Sequence, residues 1–147
     1  MIRDYTKKDK QRVIELLVQN IPEYFAPSEE EDFVHYLDHE LEDYFVYVEG
    51  ATIIGAGGVN YFPEEKIARI SWDMIDTHSQ GKGVGKDLLR HRINHINKKS
   101  GIDFIEVRTS QLAYKFYEKM GFALETIEKD YWAKGFDLYQ MKMENKG

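Results

Sequence analysis

Apolar side chains recur along this chain with two periods. Val13, Ile14, Leu17 and Ile21 fall at helical steps, as do Phe33, Tyr36, Leu37 and Leu41, so each set predicts a helix with one buried face. Thr6 with Asp9, and Ser28 with Glu31, have the spacing of helix-starting pairs, the first with Asp in place of the usual Glu or Gln. Pro22 and Pro27 bracket the loop between the two helices. Residues 2–5 predict a short strand. Residues 44–49 and 52–62, joined by Gly50-Ala51, predict a hairpin. Residues 67–75 predict a further strand in which Ile70, Trp72 and Met74 alternate, so these three are expected on one face and Asp73 on the other.

A glycine-rich break, Ser79-Gln80-Gly81-Lys82-Gly83-Val84-Gly85, follows that strand. Val84, Leu88, Leu89, Ile93 and Ile96 then form a helical stripe that Ser100-Gly101 ends. Residues 102–109 predict a strand, residues 112–120 a short helix stopped by Gly121, and residues 122–127 and 136–143 two strands joined by a loop at 132–135. Residues 144–147 are expected to fray. The order is two helices, a run of hairpins, then strand–helix–strand–helix–strand. It shows no repeat or linker, so residues 1–147 are expected to form one domain.

Composition narrows the classes. Of 147 residues, 42% are hydrophobic and 31% charged, enough for one core and unlike a disordered chain. Cysteine is absent, which excludes a disulfide framework, thiolate metal ligands and a cysteine nucleophile, and favours a reducing compartment. No leader or membrane span is visible, and a cytoplasmic protein without a membrane partner is expected. The net charge of −6 argues against a broad basic face for nucleic acid and suits an amine-bearing partner.

The glycine break carries the chemistry. Glycines let successive N–H groups face one point, and the following helix start adds unpaired amides and a positive dipole end, which together bind phosphate. A Walker A loop ending at Gly85-Lys86 needs Gly at 80 and Ser or Thr at 87, where the chain has Gln80 and Asp87. A dinucleotide fingerprint from Gly81 and Gly83 needs a third glycine at 86, where the chain has Lys86. Gln80-x-x-Gly83-x-Gly85 behind a strand instead resembles the acyl-CoA loop of the GCN5-related N-acetyltransferase (GNAT) family. Ala113-Tyr114-Lys115-Phe116-Tyr117-Glu118-Lys119-Met120-Gly121-Phe122 resembles the second signature of that family, again behind a strand.

The resemblance implies a single-domain acyl-CoA N-acyltransferase fold of α/β (α+β) class, with a mixed, mostly antiparallel sheet flanked by helices. It implies acetyl transfer from acetyl-CoA to a primary amine by direct attack in a ternary complex. A non-catalytic acyl-CoA-binding or sensing module on the same fold is the alternative. Gln80, Gly81, Lys82, Gly83, Val84, Gly85 and Lys86 would hold the pyrophosphate. Met74, Ile75 and Asp76, at the end of a strand that splays from its neighbour, would hold the pantetheine arm and the thioester carbonyl. Ser110 stands where the family often has Asn; it can cap the next helix but has a shorter reach toward the coenzyme. Tyr117 would protonate the leaving thiolate, with Tyr114 on the same helix face as its rival.

The general base is left open. Asp73 is the leading carboxylate, facing either the acceptor cleft or helices across the sheet, and Glu106 is a second. Tyr24, Phe25 and Tyr61 are candidates to line the acceptor pocket. Residues 29–32 are four acids that favour a helix start or form a rim attracting a cationic acceptor. His91 and His95 share a helix flank without an evident third ligand, so no metal is expected. The acceptor and the oligomeric state, a homodimer included, stay open.

Overall fold

The computed structural model describes residues 1–146. Strand β1 (Ile2–Asp4) leads through a short 3₁₀ turn (Lys7–Asp9) into α1 (Lys10–Gln19), then α2 (Glu29–His35), which continues as a π-helical turn over Tyr36–Glu40. Next come β2 (Asp43–Glu49), β3 (Thr52–Phe62), β4 (Ile67–Ile75), α3 (Val84–Asn97), β5 (Phe104–Thr109), α4 (Tyr114–Lys119), β6 (Ala123–Ala133) and β7 (Phe136–Glu144). The seven strands form one sheet in the order β1-β2-β3-β4-β5-β7-β6. Only the β4–β5 pairing is parallel.

The two predicted helical faces bury on one side of the sheet. Val13, Leu16 and Leu17 of α1 and Phe33 of α2 pack with Val46, Ala56 and Met74. On the other side Leu89 and Ile96 of α3 and Tyr117 of α4 pack with Val59, Ile70, Ile105 and Met141. Val13 and Leu17 of α1, Phe33 of α2, and Leu89 and Ile96 of α3 are buried as their spacing predicts, while α1 also buries Leu16, outside its predicted stripe.

The expected alternation along β4 breaks down. β3 and β4 pair regularly from Phe62↔Ile67 to Gly58↔Ser71, but the next pair is Ala56↔Met74, so β4 carries one extra residue. Trp72 takes φ 50° at this bulge. Ile70 consequently faces α3, while Trp72 and Met74 face α1 and α2. Asp73 points to the α3 side, where it meets Arg92.

Three further departures concern ends. The β6–β7 connection is shorter than the predicted loop, because β6 runs to Ala133 and pairs with Phe136 across Lys134-Gly135. The predicted strand at 102–109 begins only at Phe104. The tail is anchored rather than frayed: Glu144 is in β7, and Asn145 donates its backbone N–H to Asp103 O at 2.8 Å and its amide to Ile102 O at 2.8 Å. Gly147 lies outside the described residues.

At the chain start, Asp9 does the capping work predicted from its spacing. Its carboxylate accepts the Thr6 N–H at 2.8 Å and an ion pair from Arg3 at 2.8 Å. The Arg3 hydrogen bond, helped by Thr6, holds the Asp9 carboxyl below its ordinary range despite partial burial. A depressed carboxyl stabilises the fold above its unfolded pKa and loses that contribution as pH falls through the folded value. Asp9→Asn is therefore expected to cost about 1 kcal/mol at pH 7, with the difference from wild type fading below about pH 4. Denaturant titrations at pH 7 and pH 3 measure this; an equal loss at both would rule out the charge as its source.

Candidate active site

β4 and β5 pair in parallel from Ile67↔Phe104 to Ile70↔Val107 and no farther, although β4 runs to Ile75 and β5 to Thr109. The bulge, between Ser71 and Met74, follows closely on the last pair, so the strands part where β4 changes its twist. A cleft of about 800 Å³ occupies the opening. The side chains of the bulge face opposite sides of the sheet. The α3/α4 side carries the glycine loop, and the α1/α2 side carries aromatic and charged groups.

On the α3/α4 side, Gly81 and Gly83 take φ 81° and 83°, and a Cβ at either would meet no neighbouring atom. These glycines are thus required by backbone conformation, not by crowding. α3 starts at Val84, so the first-turn amides of Val84, Gly85 and Lys86 have no carbonyl to bond within the helix. Gln80, Gly81, Gly83, Val84, Gly85 and Lys86 all line the cleft. Gln80 also donates to Asn20 Oδ1 at 3.3 Å, tying the loop to α1. Lys82 is exposed and is not part of the lining, contrary to expectation.

Of the three residues expected at the strand end, Met74 and Ile75 line the cleft and Asp76 does not. Asp76 donates its N–H to Ile54 O at 2.8 Å, so by alternation the Ile75 amide faces the open edge of β4. The Asp76 carboxylate accepts from Arg12 at 2.9 Å and from the His78 N–H at 2.8 Å. Burial alone would raise its pKa, but these donors outweigh burial and hold it low. Asp76 anchors the loop against α1 and makes no part of the cleft wall.

Asp73 faces the helices across the sheet. It forms an ion pair with Arg92, whose side chain is 1% exposed, and accepts the Tyr117 hydroxyl. Arg92 also donates to Leu88 O at 3.1 Å and Gly58 O at 3.2 Å. Gly57 makes room for this group, since a Cβ there would collide with both Asp73 and Arg92. Burial, then the charge and hydrogen bond of Asp73, push the Tyr117 phenol well above its ordinary pKa, and Arg92 works against them. Tyr117 lines the cleft; Tyr114 does not, and its ring packs on Tyr139. Ser110 is buried at the cleft wall, where its Oγ accepts the Leu112 N–H at 3.2 Å, leaving the hydroxyl free to donate.

The α1/α2 side is different chemically. Tyr24 and Phe25 line the cleft here, with Phe25 stacked on Trp72 at 6.3 Å. Glu29 is buried there, not rim-exposed; it accepts the Ala26 N–H at 2.7 Å, and burial raises its carboxyl pKa. Burial likewise pushes the Tyr36 phenol, which shares a hydrogen bond with Ser71, up to about 12. Tyr61 lies away from the cleft: its hydroxyl donates to Asp43 at 2.5 Å and Lys99 sits over its ring. Glu106 is buried beneath Arg69, bonded at 2.7 Å, and does not reach the cleft. His95 meets Asp43 at 3.0 Å, and both His91 and His95 pack edge-on against Phe45.

Sequence reasoning passed over Arg92, Arg108, Trp132 and Phe136, all of which line the cleft. Arg92 had a signal: it lies four residues from both Leu88 and Ile96, a charge inside an apolar stripe. The other three reach the cleft through the β6–β7 hairpin and the end of β5, which no local pattern marks. Among the described residues, no helix is long and apolar enough to cross a membrane.

A family model for the acetyltransferase (GNAT) domain matches residues 3–145. The chain is similar in fold to the ribosomal-protein-S18-alanine N-acetyltransferase from Escherichia coli, with a TM-score of 0.82 at 18% identity over 100% of this chain and 94% of that one. An N-acetyltransferase from Staphylococcus aureus Mu50 gives 0.79 at 19% identity, over 99% and 98% of the two chains. An aminoglycoside 6'-N-acetyltransferase complexed with coenzyme A gives 0.79 at 14% identity, over 100% and 98%. No curated protein sequence matches the chain significantly. With the family match spanning nearly the whole sequence and the parted β4–β5 strands beside a glycine loop, the chain belongs to the GNAT acetyltransferase family.

Proposed function

We propose that the protein transfers an acetyl group from acetyl-CoA to a primary amine by direct attack within a ternary complex. The observation that carries this reading is the opening of the sheet beyond Ile70↔Val107, with a phosphate-type loop on one face and an aromatic, charged chamber on the other. A thioester passing through the opening meets the chamber.

The glycine-loop amides from Gly81 to Lys86 take the pyrophosphate, with Lys86 adding charge. The Ile75 amide, on the free edge of β4, donates to the thioester carbonyl and to the oxyanion that develops there. The acceptor nitrogen attacks this carbon, the C–N bond forms, and the C–S bond breaks. The nitrogen gives up its surplus proton to solvent, and the thiolate takes one from Tyr117. Coenzyme-bound neighbours, among them the aminoglycoside acetyltransferase above, support the choice of donor.

Asp73 acts as a positioning group in this reading rather than as the base. Both of its carboxylate oxygens are already engaged, one by the Arg92 guanidinium and the other by the Tyr117 hydroxyl, so neither is left to receive an amine. It fixes the orientation of the Tyr117 phenol, and Arg92 offsets part of the carboxylate charge that opposes phenolate formation. No cysteine is available for an acyl-enzyme route through sulfur.

Two predictions test these roles. Gly83→Val forces a branched side chain into the left-handed region beside the pyrophosphate site, and should weaken acetyl-CoA binding at least tenfold, about 1.4 kcal/mol. Calorimetry on the folded variant measures it, and unchanged affinity would return the loop to a plain strand–helix connection. Tyr117→Phe keeps the ring packing, and Asp73 keeps Arg92, so the variant should fold and bind acetyl-CoA. Its kcat should fall roughly 10²-fold, with Tyr114→Phe nearly unaffected. Normal turnover in Tyr117→Phe alongside a crippled Tyr114→Phe would move the acid one helical turn back.

A further inference from the structure

The charges on the chamber floor do not balance. Arg69 of β4 and Arg108 of β5 both line the α1/α2 side of the cleft. Arg69 is neutralised by its cross-strand neighbour Glu106 at 2.7 Å. Arg108 has no such partner: among the described residues no carboxylate pairs with it, and its one hydrogen bond runs from Nη2 to the Tyr131 hydroxyl at 2.8 Å. Its Nε is shut off from solvent without a hydrogen-bond partner. A half-buried guanidinium with most of its donors unused is a group whose counter-ion comes from elsewhere.

The surroundings hold Arg108 in place. Its guanidinium lies over the Tyr131 ring at 5.0 Å and near the Trp132 ring at 5.8 Å. Trp132 is pinned in turn by its Nε1 bond to Thr109 O at 3.1 Å. The nearby hairpin carboxylates are committed to backbone: Asp137 accepts the Asp130 N–H at 2.9 Å, and Asp130 accepts the Gly135 N–H at 2.7 Å. Across the chamber, Glu29 is spent on the Ala26 N–H, and Glu40 is exposed near His35.

We propose that the acceptor is an amine carrying a carboxylate a few bonds from its nitrogen, of amino-acid type, and that Arg108 receives that carboxylate. The proposal rests on the acetyltransferase reading above. Arg108 follows Val107, the last β5 residue paired with β4, so it stands at the vertex of the opening through which the thioester reaches the chamber. An anion held there lies beside the reacting nitrogen, not at the far end of a long acceptor. The aromatic walls from Phe25, Trp72 and Trp132 fit an apolar or aromatic side chain on the same molecule.

The test uses the full chain with acetyl-CoA, reading free thiol, and matched probes: phenylalanine, phenylalaninamide and phenethylamine, with the corresponding leucine and methionine sets. Each free acid should exceed its amide and its decarboxylated amine at least tenfold in kcat/KM. The α-amine of each amide is less basic and more often neutral than that of its free acid, so for this pair the bias runs against the expected result. Arg108→Gln should collapse the acid-to-amide ratio toward one, mainly by raising KM for the acid, while calorimetric affinity for acetyl-CoA stays put. Preference for the amides or amines, an equal loss on acid and amide in Arg108→Gln, or no turnover of any probe by protein that binds acetyl-CoA would each overturn the proposal. Loss of coenzyme affinity in Arg108→Gln would also overturn it, by assigning Arg108 to the coenzyme. Failure of the wild-type chain to bind acetyl-CoA at all would instead remove the acetyltransferase reading.

Discussion

The buried ion pair between Arg92 and Asp73 constrains more of this molecule than any other contact. Two charges taken from water cost several kcal/mol each unless each finds close partners. Arg92 finds Asp73, Leu88 O and Gly58 O; Asp73 finds Arg92 and Tyr117. Four elements must cooperate for that. β3 must have no side chain at Gly57, α3 must accept an arginine in its apolar stripe, and α4 must bring a phenol. β4 must turn Asp73 toward α3, which regular alternation counted from Ile70 would not do. Replacing Asp73 alone would leave the Arg92 guanidinium buried and without its counter-ion, a loss of about 3–5 kcal/mol.

The bulge that turns Asp73 also shapes the cleft. An extra residue in β4 puts Ser71 and Trp72 on the α2 face together, and the parallel ladder with β5 stops one residue earlier. The same local irregularity therefore aims a carboxylate at Tyr117, opens the sheet, and builds an aromatic wall from Trp72 against Phe25 and Phe33. Trp72 is held in its left-handed backbone conformation by that packing and by the Tyr44 hydroxyl on its carbonyl at 2.9 Å. Strain at one residue is thus offset by contacts from α2, β2 and the α1–α2 loop, and the site depends on all of them.

This explains which parts could be read in advance. Helix stripes and the glycine loop are local in sequence, so Leu88, Ile96, Gly81 and Gly83 announce themselves through spacing and residue type. Tyr117 could be named because its motif is contiguous. The β4 bulge has no local sign: Ile70, Trp72 and Met74 read as one alternating face, and only pairing with β3 reveals the extra residue. Tyr61 was misplaced for a related reason, since a strand-end aromatic can turn to either face and Asp43 captured its hydroxyl. Arg108 and Trp132 come together only when β6 and β7 fold back over the end of β5, a contact between segments more than twenty residues apart.

Net charge proved a coarse guide to the chamber. A chain at −6 presents an overall field that favours cations, and the acids at 29–32 add to it. Yet charges separated by more than about 8 Å in physiological salt are largely screened from one another, so a bound acceptor answers to the few groups around it. Within the chamber Glu29 is buried with a raised pKa, Arg69 is neutralised by Glu106 beneath it, and Arg108 is left without a carboxylate partner. An acceptor amine must also lose its positive charge before it can attack, so a strongly anionic wall would stabilise the unreactive form. For the acceptor proposed above, the Arg108 guanidinium works the other way: it neutralises the carboxylate that would otherwise help to hold a proton on the nitrogen beside it. In that proposal the group that selects the acceptor also favours its neutral, reactive amine.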